Sequence, residues 1–98
     1  MLKYELYWYP FIYEDKPNIY EYRPAVILDD DLLLVTKITG NISRNNKYEY
    51  TIIDWKQAGL SKPSNIRLNK VAIINGNLGK YIGKLSNKDI LNLQKLGY

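Results

Sequence analysis

Only a few residue types in this chain can do chemistry, and two of the usual ones are missing. There is no cysteine and no histidine. That excludes disulfides, thiol nucleophiles, zinc–thiolate sites, histidine metal ligands, Ser-His-Asp hydrolysis and the paired-histidine mechanism of many ribonucleases. Arginine occurs only at positions 23, 44 and 67, so each one asks for a reason. Its permanent charge and planar fork of donors match phosphate oxygens better than the compact ammonium of lysine does. Carboxylates able to accept a proton gather at Glu14, Asp15 and Glu21, in a polar stretch before Arg23. Ten tyrosines and two tryptophans offer flat faces, each able to stack an unpaired base for roughly 1–3 kcal/mol. Tyr20 and Tyr22 beside Arg23 are the favoured stacking residues, whereas Trp8 and Trp55 are expected in the core. The run Asp29-Asp30-Asp31 reads as a solvated hairpin turn, because consecutive acids do not converge on one ion as the ligands of an EF-hand do.

The elements that must position these residues are mostly strands. Lys3–Ile12 alternates Tyr4, Leu6 and Trp8 against Lys3, Glu5, Tyr7 and Tyr9, the period of two of a strand. Pro10 marks it as an edge or as the strand's end. Tyr13–Tyr22 reads as a polar loop of about ten residues, long enough to suggest a working loop. Arg23–Asp29 and Leu32–Thr39 form two apolar strands around the acidic turn, and Gly40–Asn46 is a second polar loop. Lys47–Ile53 alternates again, and Asp54–Gly59 predicts one helical turn capped by Asp54 and ended by Gly59. Ser64–Asn75 is one long strand or two short ones with a bend near Lys70. Within it, Arg67 and Asn69 face one side while Ile66 and Leu68 face the other. The C-terminal helix carries the best local signal. Ser86 is its N-cap, Asp89 stands at the third position, Leu85 and Ile90 form a hydrophobic staple, and Gly97 stops it.

At 98 residues the chain is a single domain, 1–98. Five or six short strands with a terminal helix predict a mainly β fold, a small SH3-like barrel or half-open sheet with the helix over one side. A domain of this size buries only roughly 60–65% of its chain surface, so a second copy is expected to help. The apolar runs are too short for a membrane span and the N-terminus has no signal-peptide plan, which makes the cytoplasm the expected location. A net charge of +4 suits an acidic partner.

Four segments, in order, carry a resemblance. Tyr22-Arg23-Pro24-Ala25-Val26-Ile27-Leu28 resembles the Arg-Pro-apolar run of MazF/PemK-type toxins, and Lys37-Ile38-Thr39 their next strand, which ends in threonine. Asp54-Trp55 through Ala58-Gly59-Leu60, Pro63-Ser64 and Arg67 resembles a segment of one PemK-like branch. Ile82-Gly83-Lys84-Leu85-Ser86 resembles that family's lead-in to its terminal helix. The resemblance implies an SH3-like barrel of the MazF/PemK/CcdB type and a cytoplasmic homodimer. It further implies that single-stranded RNA is cut without a metal or other cofactor, under the control of a co-expressed antitoxin that is acidic. It also implies catalytic roles for Arg23, Thr39 and Arg67. At the position where the Kid/PemK branch carries an aspartate as general base, this chain has Asn69, and an amide takes no proton at neutral pH.

Such a cleavage drives the 2′-OH onto the adjacent phosphorus, which calls for a base, positive charge on the phosphoryl oxygens and help for the leaving 5′ oxygen. Arg23 and Arg67 suit the charge, and Thr39 suits a hydrogen bond to a phosphate oxygen or the 2′-OH. Glu14, Asp15 or Glu21 is left as the base, while Tyr20, Tyr22 and Asn69 are expected to contact substrate. The rival reading is a non-catalytic SH3-like binding module gripping nucleic acid or protein through the same groove. The CcdB toxins, which act on DNA gyrase, are the analogy for it.

Overall fold

The computed structural model describes residues 1–13, 15–42, 47–74 and 78–98. Six strands, β1 (Glu5–Tyr13), β2 (Lys16–Asp29), β3 (Leu34–Thr39), β4 (Glu49–Thr51), β5 (Asn65–Ile73) and β6 (Tyr81–Lys84), precede one helix, α1 (Asn87–Lys95). They form a single antiparallel sheet in the order β4-β5-β3-β2-β1-β6. The expected class, mainly β with a C-terminal helix, is the one found. The barrel is not closed by a hydrogen-bonded ladder, and β4 and β6 are the sheet's two edges. Instead, the turn after β4 lies against β6. A Cβ on Gly83 would fall 2.2 Å from the carbonyl oxygen of Ala58, so only glycine permits this approach of backbone to backbone.

Because strand side chains alternate, each face of the sheet can carry its own core. On the helix side, Leu6, Val26, Ile38, Ile66 and Leu68 pack with Ile52, Ala58, Leu85 and Leu93. On the other side a smaller cluster joins Tyr9, Ala25, Ile27 and Val35, flanked by Tyr7, Phe11 and Ala72. The helix forms as the sequence predicts. Ser86 Oγ accepts the amide of Asp89 at 3.2 Å. At the other end Gly97 (φ 96°) closes a Schellman motif, with Gly97 N–H donating to Gln94 O and Tyr98 N–H to Leu93 O.

Asp89 does more than cap. It is fully buried, and its carboxylate accepts the Tyr50 hydroxyl, the amides of Ile53 and Asp54, each at 2.9 Å, and the Ser86 hydroxyl. These bonds fasten β4 and the turn after it to the helix. Burial, followed by the bond to Asp89, raises the Tyr50 hydroxyl from its ordinary value to about 12.

Two expectations need correction. The stretch 13–22 is not a loop: β2 begins at Lys16 and pairs with β1 up to Ile12↔Tyr20 and Tyr13↔Lys16. This end of the hairpin projects beyond both cores, so no one-sided apolar alternation betrayed it. Trp8 is also not a core residue, being 40% exposed and paired with Pro24 on that hairpin, whereas Trp55 does pack against the helix-side core. The bend expected near Lys70 is present, as a bulge in one continuous strand. Thr36 pairs with Val71 and Lys37 with Arg67, leaving Leu68, Asn69 and Lys70 without β3 partners in the ladder. The buried Thr36 hydroxyl ties the bulge down, placed to donate to the carbonyl oxygens of Arg67 and Lys70.

The acidic run does form the turn between β2 and β3. Asp29 Oδ1 accepts the amides of Asp31 and Leu32, each at 2.9 Å, and Asp30 Oδ2 accepts the amide of Lys3. Contrary to the expectation that consecutive acids do not converge, the three carboxylates lie within 4.8 Å of one another.

Candidate functional site

The face that carries the smaller core changes character along its length. Past Ala25 and Val35, the same side of the sheet presents Lys37, whose strand partners are Ala25 on β2 and Arg67 on β5. Arg67 in turn pairs with Glu49 on β4. Lys37, Arg67 and Glu49 therefore form one rung across three strands. The next rung on the same face is Thr39, Asn65 and Thr51. From β2, Arg23 and Glu21 join this face, since they share the parity of Ala25. An open groove of about 610 Å³ runs beside these residues. Tyr9, Phe11, Lys37, Arg67, Lys70 and Ala72 are among its walls.

Arg23 and Glu21 form an ion pair at 2.7 Å, both side chains nearly half exposed, so the pairing is weak and open to exchange for a phosphate. Arg67 is held more firmly. Its Nε is buried 3.8 Å from Glu49 Oε2, and the Glu49 side chain is only 1% exposed. Asn65 donates from Nδ2 to the other Glu49 oxygen at 3.2 Å, which fixes the carboxylate. Neither the Nε of Arg67 nor the Oδ1 of Asn65 has a hydrogen-bond partner among the described residues. Lys37 lies over the Phe11 ring, its ammonium 5.8 Å from the centroid. Burial lowers its pKa below the usual lysine value. Arg23 and Arg67, then Lys70, push the same way, and Glu21 opposes them.

The structure thus brings Arg23, Glu21, Arg67 and Thr39 to one face. Thr39 Oγ1 accepts the amide of Asn41 at 3.2 Å. As the sequence predicts, Ile66 and Leu68 are buried in the helix-side core while Arg67 points out of it. Asn69 is exposed within the bulge. Asp15 sits at the hairpin tip, away from the rungs. Glu14 lies outside the described residues. Tyr20 and Tyr22 stack edge-to-face at 5.9 Å, both exposed. Their partners Ile12 and Pro10 put them on the opposite face of the hairpin from Glu21 and Arg23.

Two groups escaped sequence reasoning. Lys37 enters the sequence analysis only within the segment that carries the resemblance, although a charge inside the apolar run Leu34–Thr39 is a visible signal. Glu49 gave no signal, because only the β4–β5 register sets it beside Arg67.

Against this geometry the family comparison is informative. The model of the PemK-like, MazF-like toxins of type II toxin–antitoxin systems matches residues 3–96. The chain belongs to this family. Comparison with curated proteins gives no match. The matched span contains all six strands and the whole helix, so the PemK-like assignment rests on the whole fold and includes every residue of the two rungs. Among the described residues no helix is long and apolar enough to cross a membrane.

Proposed function

We propose that this PemK-like toxin is a sequence-selective endoribonuclease that cuts single-stranded RNA by attack of a 2′-OH on its own 3′-phosphate. The observation that carries the reading is the pair of cations Lys37 and Arg67 on the wall of one groove, with Arg23 and the carboxylate of Glu21 near enough to Lys37 to act on its charge. Glu21 takes the proton of the 2′-OH, a task open to a carboxylate and closed to Asn69. Arg23 and Arg67 hold the phosphoryl oxygens as charge builds on phosphorus, and Thr39 fixes the strand by a hydrogen bond. The P–O5′ bond breaks as the new P–O2′ bond forms, leaving a 2′,3′-cyclic phosphate and a 5′-hydroxyl. The positive charge comes from side chains, so no metal is required. Tyr20 and Tyr22 would meet bases where the strand passes over the hairpin to its other face.

On this reading the protein works in the cytoplasm as a homodimer. An acidic antitoxin segment silences it by occupying the cationic groove in place of RNA. Purified protein is incubated with single-stranded RNA in EDTA, beside Arg67→Ala, and the 3′ ends are analysed. Discrete cuts ending in cyclic phosphate, lost in the variant, support the reading. Intact RNA with folded protein favours the second reading, a binding module without turnover, for which Asn69 at the family's base position speaks.

A further inference from the structure

Breaking a phosphodiester leaves an alkoxide on the 5′ oxygen, and that oxygen needs a proton before it departs easily. Neither arginine is a good source, because a guanidinium holds its proton too tightly to release it in the step. We infer that Lys37 is the group that gives this proton, its ammonium standing between Arg23 and Arg67 at the wall of the groove. The inference rests on the endoribonuclease reading and adds a catalytic residue to it.

The geometry carries the assignment. Lys37 occupies the central rung, paired with Ala25 on one side and Arg67 on the other. A phosphate gripped by guanidinium groups from β2 and β5 is therefore presented to the strand between them. The Phe11 ring lies beneath the ammonium and dries one side of it. The charged groups that face Lys37 from the packed elements are Arg23 and Glu21 on β2, and Arg67 and Lys70 on β5. Three of the four are cations, and with burial they weaken its hold on the proton, the direction that favours proton donation. In the step, the P–O5′ electron pair moves to O5′ and takes a proton from Lys37 Nζ. Lys37 is left as a neutral amine, Glu21 holds the proton from the 2′-OH, and exchange with water restores both.

The test pairs variants with a leaving group that needs no proton. An RNA oligonucleotide cut by the wild-type protein is rebuilt with a 5′-bridging sulfur at the cleaved linkage, since a thiolate departs unprotonated. Lys37→Met keeps the stem and loses the proton, and Lys37→Arg keeps the charge without a usable proton. On ordinary RNA both variants should lose about 100-fold or more in rate, in the range for general acid catalysis. On the sulfur-bridged RNA both should come within about fivefold of the wild type. The alkaline fall of the wild-type rate should also vanish on that substrate. Equal losses on both substrates, or recovery of ordinary cleavage in Lys37→Arg, would overturn the inference by making Lys37 a binding charge only. Circular dichroism of each variant separates these results from misfolding. A folded wild-type protein that cuts neither substrate sinks the endoribonuclease reading itself, and with it the inference.

Discussion

Replacing Asp89 should cost more stability than any other single polar change among the described residues. The carboxylate is fully buried and accepts from Tyr50, Ile53, Asp54 and Ser86. Hydrogen bonds to a charged group contribute about 1.5–3 kcal/mol each, but they do not add, since water reaches the partly exposed donors once the acceptor is gone. Adding the lost reciprocity at the N-cap, Asp89→Ala should destabilise by about 3–5 kcal/mol. In a domain of this length that lowers Tm by roughly 15–30 °C. Asp89→Asn keeps one oxygen and turns an amide donor toward the backbone N–H groups, so its cost should be smaller, about 2–3 kcal/mol. Urea unfolding followed by tryptophan fluorescence gives both numbers, because Trp55 lies in the turn that Asp89 fastens. A loss below about 1 kcal/mol for the alanine variant, or none for the asparagine, would refute the argument that this carboxylate holds β4 to the helix.

Tyr50, one of the groups bonded to Asp89, makes stability pH-dependent. Its folded value of about 12 stands above the unfolded value near 10, so the native state binds more protons between them and stability falls as pH rises through that window. After discounting for solvent screening the loss is on the order of 1 kcal/mol, and Tyr50→Phe should remove that component of the pH slope in alkaline urea titrations. Glu49→Gln should leave the fold intact but release Arg67 from its counter-charge, lowering RNA cleavage about tenfold in single-turnover assays, or about 1.4 kcal/mol. Gly83→Ala should cost about 2–4 kcal/mol in thermal unfolding, because its Cβ would collide with the Ala58 carbonyl. Binding of a 2′-deoxy-substituted, uncleavable RNA should weaken with salt at a log–log slope of about −2 if Arg23, Lys37 and Arg67 all meet phosphates. Each charge removed should flatten that slope by about 0.7.

Local chemistry made the helix legible: cap, staple and stop are all contained within a dozen residues of sequence and need nothing from elsewhere. Strands with one buried face were legible for the same reason, as Ile66 and Leu68 against Arg67 show. The projecting hairpin was not. Its residues at 18–22 have water on both faces, so pairing rather than burial decides their conformation, and pairing leaves no pattern in one chain. Arg23, Thr39 and Arg67 could be picked out by type and resemblance. Glu49 becomes visible only when the β4–β5 register is known, and Lys37, marked in the sequence as a charge inside an apolar run, gains its cationic neighbours only through the β2–β3–β5 register. Asp89 was read as a cap, yet its four donors come mostly from a segment more than thirty residues away.

The bulge on β5 has a consequence for parity. Arg67 and Ala72 are five residues apart, an odd spacing that an uninterrupted strand would send to opposite faces. Yet Arg67 pairs with Lys37 and Ala72 with Val35, which share a face of β3. The three extra residues invert the phase of the strand halfway along it, so that one strand supplies a cation to one end of the groove and an apolar wall to the other. An insertion or deletion of a single residue among Leu68, Asn69 and Lys70 would undo that inversion. It would turn either the charge or the apolar wall through the sheet, while leaving the composition of the strand almost unchanged.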